Sequence, residues 1–160
     1  MSSRRKTITA FVGLCVLAAG CAAVAVAAAP RRSHAKKHPV IWAAGDIKWA
    51  DSPALPGAKI AALWGDPKKG AYGALKSIPG GTTLKLHTHS HDQKNVMISG
   101  TIRFTMEGEP AKELGAGSYI FIPGGAKHTA ECQAGADCVY FEEYPAAADL
   151  KYVEEGGSKK

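Results

Sequence analysis

Turn-forming residues, more than composition, limit what this chain can fold into. Between Lys59 and Tyr144 it is interrupted by Gly65-Asp66-Pro67, Pro79-Gly80-Gly81, Gly108-Glu109-Pro110 and Gly115-Ala116-Gly117. Each is a glycine- or proline-based breaker, and the stretches between them are short. Those stretches predict strands at Lys59–Gly65, Ala71–Ile78, Thr83–His89, Lys94–Ser99, Thr101–Glu107, Ser118–Ile122, His128–Glu131 and Cys138–Tyr144. Ile102, Phe104 and Met106 alternate with Arg103 and Thr105, the period of a half-buried strand. Only Ala146–Val153 suggests a short C-terminal turn, and no stretch carries a sustained helical period. There is no internal repeat. Many short strands at near-regular spacing predict an all-β sandwich or barrel.

The 160 residues supply one such domain, flanked by tails. Arg4, Arg5 and Lys6 precede a small-and-apolar run from Phe11 to Ala29 with A-x-A sites such as Ala25-Val26-Ala27. Residues 1–29 therefore read as an export signal, to a periplasmic or extracellular destination. The run is also long enough for a single membrane anchor, but its alanine richness favours a cleaved signal. Ser3-Arg4-Arg5-Lys6-Thr7-Ile8 resembles a twin-arginine motif, with threonine where a bulky apolar residue is usual. Leu17-Ala18-Ala19-Gly20-Cys21 resembles a lipoprotein box whose leucine stands one position too far from Cys21. Export is thus favoured over a lipid anchor at Cys21. Residues 30–39 read as a basic linker, 40–150 as the folded domain and 151–160 as a polar tail.

The net charge of +6 belongs to those tails. Val40 to Leu150 holds 10 basic and 12 acidic residues, a net of −2. Such a domain lacks the basic footprint needed for nucleic acid. Cys132 and Cys138 flank the turn sequence Gln-Ala-Gly-Ala-Asp. Facing ends of a hairpin allow a disulfide, which an oxidising compartment favours; a pair of free thiols is the alternative.

The chemistry concentrates in Lys85-Leu-His-Thr-His-Ser-His-Asp-Gln93 and in Gly117-Ser-Tyr-Ile-Phe-Ile-Pro-Gly-Gly-Ala-Lys-His128. Residues two apart on a strand face the same way, so His87 and His89 present two imidazoles on one side. They can chelate one ion if a bulge or a strand end draws them together. Pro123 and Gly125 mark a tight turn, with His128 starting the strand beyond. His91 shares the parity of His87 and His89, yet reads better as an exposed loop residue, and Asp92 as a turn residue. Glu142 and Glu143 lie on the last long strand with opposite facing, and whichever points inward is a candidate acid or base. Trp42, Trp49, Trp64 and Tyr72 read as packing residues. Tyr119, Phe121, Tyr140, Phe104 and Met97 are candidates for lining a cavity, with core packing as the default. The chain has no Gly-x-Ser-x-Gly elbow and no phosphate-cradling glycine loop.

These motifs resemble those of the cupins. Gly81, His87, His89, Gln93 and Gly100 match the spacing of the first cupin motif, with glutamine in place of the usual glutamate. Gly117, Pro123, Gly125 and His128 match the second, although its closing asparagine would fall at Cys132. The resemblance spans roughly residues 40–145. It implies a small jelly-roll β-barrel holding one divalent transition metal (Zn, Ni, Fe, Mn or Cu) through His87, His89, Gln93 and His128. Gln93 would bind through its neutral side-chain oxygen, or else hold a metal-bound water or a ligand histidine.

The resulting expectation is an exported metal-dependent enzyme acting on a small organic molecule in the barrel, of oxygenase, decarboxylase or isomerase type. Glu142 or Glu143 would move the proton. The alternative is a non-catalytic module that binds or senses a metal or small ligand in the cell envelope. A homodimer is one assembly open to such a domain, and membrane contact is expected only through an uncleaved signal or an anchor at Cys21.

Overall fold

The computed structural model describes residues 38–154; the stretch expected to be an export signal, most of the expected basic linker, Cys21 and the end of the C-terminal tail lie outside the described residues. One 3-10 turn at Ala44–Asp46 precedes eleven strands: β1 (Ala50–Asp51), β2 (Lys59–Gly65), β3 (Tyr72–Ile78), β4 (Thr83–Thr88), β5 (Gln93–Ser99), β6 (Ile102–Met106), β7 (Lys112–Leu114), β8 (Tyr119–Ile122), β9 (His128–Cys132), β10 (Cys138–Tyr144) and β11 (Lys151–Tyr152). They form a six-stranded sheet, β1-β2-β3-β10-β5-β8, and a five-stranded sheet, β11-β4-β9-β6-β7. Every strand pairing is antiparallel. The fold is the expected all-β jelly roll, built as two packed sheets.

Strand alternation explains which residues face inward. On β5, Gln93, Asn95 and Met97 are buried while Lys94, Val96 and Ile98 are exposed. On β10, Cys138, Glu142 and Tyr144 are buried. The apolar core joins Met97, Ile120 and Ile122 of the larger sheet to Leu84, Ile102 and Phe104 of the smaller one. Apolar burial of this kind stabilises a fold by roughly 25 cal/mol per Å². Cys132 at the end of β9 and Cys138 at the start of β10 form a disulfide with Cα atoms 5.8 Å apart. The two strands belong to different sheets, so the bridge ties the sheets together rather than closing the expected hairpin.

Several sequence expectations are corrected here. Trp42, Trp49 and Trp64 are not core residues; each is at least 40% exposed. Trp42 instead donates its indole N–H to the Leu63 carbonyl (3.0 Å), and the Trp64 ring lies on Gly73, where only a residue without Cβ leaves room. Tyr119 and Phe121 point to the outside of β8, because the inward parity belongs to Ile120 and Ile122. The folded region runs past Leu150. Ala146–Val153 ends in β11, whose Lys151 and Tyr152 pair with Thr88 and His87 of β4. Strands as short as β1, β7 and β11 depend on a partner strand and carry too few residues to show a period of their own.

Candidate metal centre

Strand β4 brings two histidines to one point by breaking its own regularity. Leu84 pairs with Ala130 and His87 with His128, so three steps along β4 oppose two along β9. This bulge resets the parity, and both Leu84 and His87 are buried. His89 follows the strand end at Thr88. The second motif is tied to the first through two backbone donors: Gly125 N–H to the His89 carbonyl (2.7 Å) and Gly124 N–H to Asp92 Oδ1 (2.9 Å). Asp92 is therefore the turn residue its sequence suggests. These ties bring the start of β9, and with it His128, beside the other two rings.

The result is a compact triad. Ring centroids lie 4.1 Å apart for His87 and His128, 5.2 Å for His87 and His89, and 5.3 Å for His89 and His128. One nitrogen from each ring falls within a sphere of mutual distances no greater than 4.8 Å. Each Nδ1 faces a backbone carbonyl: Lys85 for His87 (2.7 Å), Asp149 for His89 (2.6 Å) and Ala126 for His128 (3.1 Å). A carbonyl only accepts, so each Nδ1 carries the proton and each Nε2 keeps its lone pair. Burial lowers the pKa of His87 and pushes that of His128 down to about 4, so both rings are neutral near pH 7.

Gln93 is buried beside a second cluster. Its Nε2 donates to Glu142 Oε2 (2.5 Å) and Asn95 Oδ1 (3.2 Å), whereas its Oε1 is buried with no hydrogen-bond partner. A buried orphan oxygen is costly unless something else takes it. Glu142 also accepts from the Tyr72 hydroxyl and pairs with Lys76 Nζ (3.2 Å). Burial, reinforced by the Glu142 charge, raises the pKa of Tyr72 well above the ordinary phenol range. Three imidazoles that turn Nδ1 to backbone carbonyls and an unclaimed buried amide oxygen fit a divalent transition metal.

The other sequence candidates separate cleanly. Glu142 is the inward carboxylate, while Glu143 turns outward to Lys94 (2.9 Å). His91 is exposed and outside the triad; its backbone N–H meets the Tyr144 hydroxyl (3.1 Å). The triad, Gln93, Glu142, Tyr72 and Lys76 line one cavity of about 930 Å³, with Met97, Phe104 and Tyr140 on its apolar wall. Tyr72, Lys76, Asn95 and Asp149 were missed by sequence reasoning. The available signal was Lys76 on the same strand parity as Tyr72 and Ala74, a charge on an inward face.

A jelly roll whose two motif turns gather three imidazoles inside it is a cupin. More narrowly, the chain belongs to the family described as a domain of unknown function, DUF4437, whose model matches residues 21–142. A dimethylsulfoniopropionate lyase, DddQ, of Ruegeria pomeroyi is 33% identical over 51 residues, which cover 32% of this chain and 25% of the lyase. The match thus spans a quarter of that relative's length. The crystal structure of DddQ from the same organism is similar with a TM-score of 0.57 and 18% identity, covering 71% of this chain and 64% of that one. KdgF from a Halomonas species gives a TM-score of 0.55 at 18% identity over 70% of this chain and 96% of its own. An RmlC-like cupin from Ralstonia eutropha gives 0.57 at 22% identity over 71% of both chains.

Proposed function

We propose that this protein is an exported, metal-dependent cupin enzyme that removes a proton beside a carbonyl or carboxylate of a small organic molecule held in the cavity. The reaction class is elimination or isomerisation. The observation that carries this reading is the hydrogen-bonded Tyr72–Glu142 pair lining the same cavity as the imidazole triad. His87, His89, His128 and Gln93 Oε1 would hold the ion, which when bound supplies a Lewis acid for a substrate oxygen.

The chain's own residues supply the proton path. The Tyr72 hydroxyl donates to Glu142, leaving its oxygen lone pairs toward other partners. A proton taken up at the Tyr72 oxygen is matched by transfer of the phenolic proton to Glu142. Tyr72 thereby stays neutral, as its raised pKa requires. The 51-residue similarity to a lyase supports elimination chemistry. The N-terminal signal pattern and the Cys132–Cys138 disulfide support export.

The test is proton NMR in D2O. Metal-loaded protein is incubated with a panel of small 2-oxo and 3-substituted carboxylic acids. Metal-dependent loss of the signal from the carbon beside the carboxylate or carbonyl, abolished in Tyr72→Phe, is expected. A second reading has its own observation: Tyr72, Lys76 and Gln93 already engage both oxygens of Glu142. That favours a non-catalytic metal or ligand module of the cell envelope, and metal binding without exchange or turnover across the panel would select it.

A further inference from the structure

Resting on the metal reading above, we infer that Glu142 and Asn95 are positioning residues that fix which atom Gln93 offers to the ion. A glutamine amide has two faces of nearly equal shape, one a carbonyl that can ligate and one an NH2 that cannot. Nothing in Gln93 itself chooses between them. Its neighbours do. Glu142 Oε2 lies 2.5 Å from one end of the amide, and Asn95 Oδ1 lies 3.2 Å from the same end. A carboxylate oxygen and an amide oxygen both accept, so that end must be Nε2, and each of its two hydrogens has a partner. Turning the amide over would set Oε1 against two oxygens in a buried site. The ligating oxygen is therefore the one left over, and it is the one without a partner.

This accounts for the carboxylate that the motif spacing leads one to expect at position 93. The carboxylate is present one hydrogen bond further out, on β10 rather than β5. Lys76 Nζ at 3.2 Å offsets its charge, so its effect on Gln93 is directional more than coulombic.

A double-mutant cycle separates positioning from charge or general packing. Zn²⁺ affinity is measured by competition with a chromophoric chelator for wild type, Q93L, E142Q, N95L, Q93L/E142Q and Q93L/N95L. In E142Q, the Lys76 ammonium keeps the new carbonyl on its own side, which sets the new NH2 against Gln93 Nε2 and forces Gln93 over. Zn²⁺ binding should weaken about 10- to 100-fold in E142Q, the usual scale for outer partners of metal ligands, and by less in N95L. In the Q93L background both effects should shrink to within about twofold, because the amide they act on is gone. Equal losses with and without Gln93 would overturn the inference. If E142Q does not fold, the N95L arm carries the same comparison without a change of charge. Wild type that binds no Zn²⁺ overturns the metal reading itself, whereas wild type and Q93L that bind equally well overturn only the role given to Gln93.

Discussion

His89 Nδ1 donates to the backbone carbonyl of Asp149 at 2.6 Å, a contact spanning 60 residues of chain. The orientation of one triad imidazole is thereby set by the segment that follows the last long strand. Asp149 is itself pinned: its carboxylate accepts from Ser90 N–H (3.0 Å), Ser90 Oγ (2.5 Å) and the Tyr144 hydroxyl (2.6 Å). Burial works against its charged form, but these hydrogen bonds from Ser90 and Tyr144 prevail and hold its pKa below the usual carboxylate range.

Asp149→Ala should therefore act on the triad without touching it by side chain. Losing charge-assisted hydrogen bonds should cost about 1–3 kcal/mol of stability. Freeing the segment should also loosen His89 and weaken Zn²⁺ binding about 10-fold. Chemical denaturation and chelator competition on the same variant check both. A stability loss with unchanged affinity would mean that the backbone at 149 is held by β11 pairing alone.

The metal-free protein should lose stability in mild acid. His128 has its pKa pushed down by burial from 6.5 to about 4, and His87 shifts in the same direction for the same reason. Between those two pH values the unfolded chain binds a proton that folded His128 refuses. Stability therefore rises with pH across this window, is fully present above pH 6.5 and is lost as pH falls toward 4. For His128 the span corresponds to roughly 3 kcal/mol. Denaturant midpoints of chelator-treated protein at pH 7.5 and 5 measure it; a flat profile would contradict buried, neutral His87 and His128.

How much of this could be read in the sequence depends on the range of the interaction involved. His87, His89 and His128 were legible because turn residues and histidines sit at fixed short spacings. The bulge that makes His87 face inward was only a condition there, since it is a property of the pairing of β4 with β9. The choice between Glu142 and Glu143 needed the register of β10 against β3 and β5. Tyr72, Lys76 and Asp149 reach the site from distant elements, and each looks like an ordinary strand or loop residue in isolation. The tryptophans misled because a large apolar ring usually marks the core, whereas here Trp42 and Trp64 dock on the outside.

The motif glycines should not be equivalent. Gly117 and Gly100 both have φ near the left-handed region, at 84° and 74°. A Cβ at Gly117 would meet nothing, but one at Gly100 would fall 2.6 Å from the Asp137 carbonyl oxygen and 2.8 Å from Cys138 Cα. Gly117→Ala should cost only the backbone preference, about 1–2 kcal/mol. Gly100→Ala adds displacement of the β10 strand that carries Glu142, so it should cost more and should lower Zn²⁺ affinity as well. Thermal melts of the two variants side by side test the order; equal shifts would refute the packing argument.

The disulfide should matter locally. Cys132 and Cys138 are 6 residues apart in sequence, so the bridge closes a very small loop. Chain-entropy reasoning for such a loop gives roughly 2 kcal/mol, well below the gain from cross-linking distant segments. The connection it closes leads from β9, which begins with His128, to β10, which carries Glu142, in the other sheet, yet both residues lie beyond the bridged ends. Cys132→Ala/Cys138→Ala should thus lower the denaturation midpoint while leaving Zn²⁺ affinity within about twofold, since the triad is held by the β4 bulge and the two motif turns. A large loss of affinity at full folding would show instead that movement of the β9–β10 connection reaches the imidazoles.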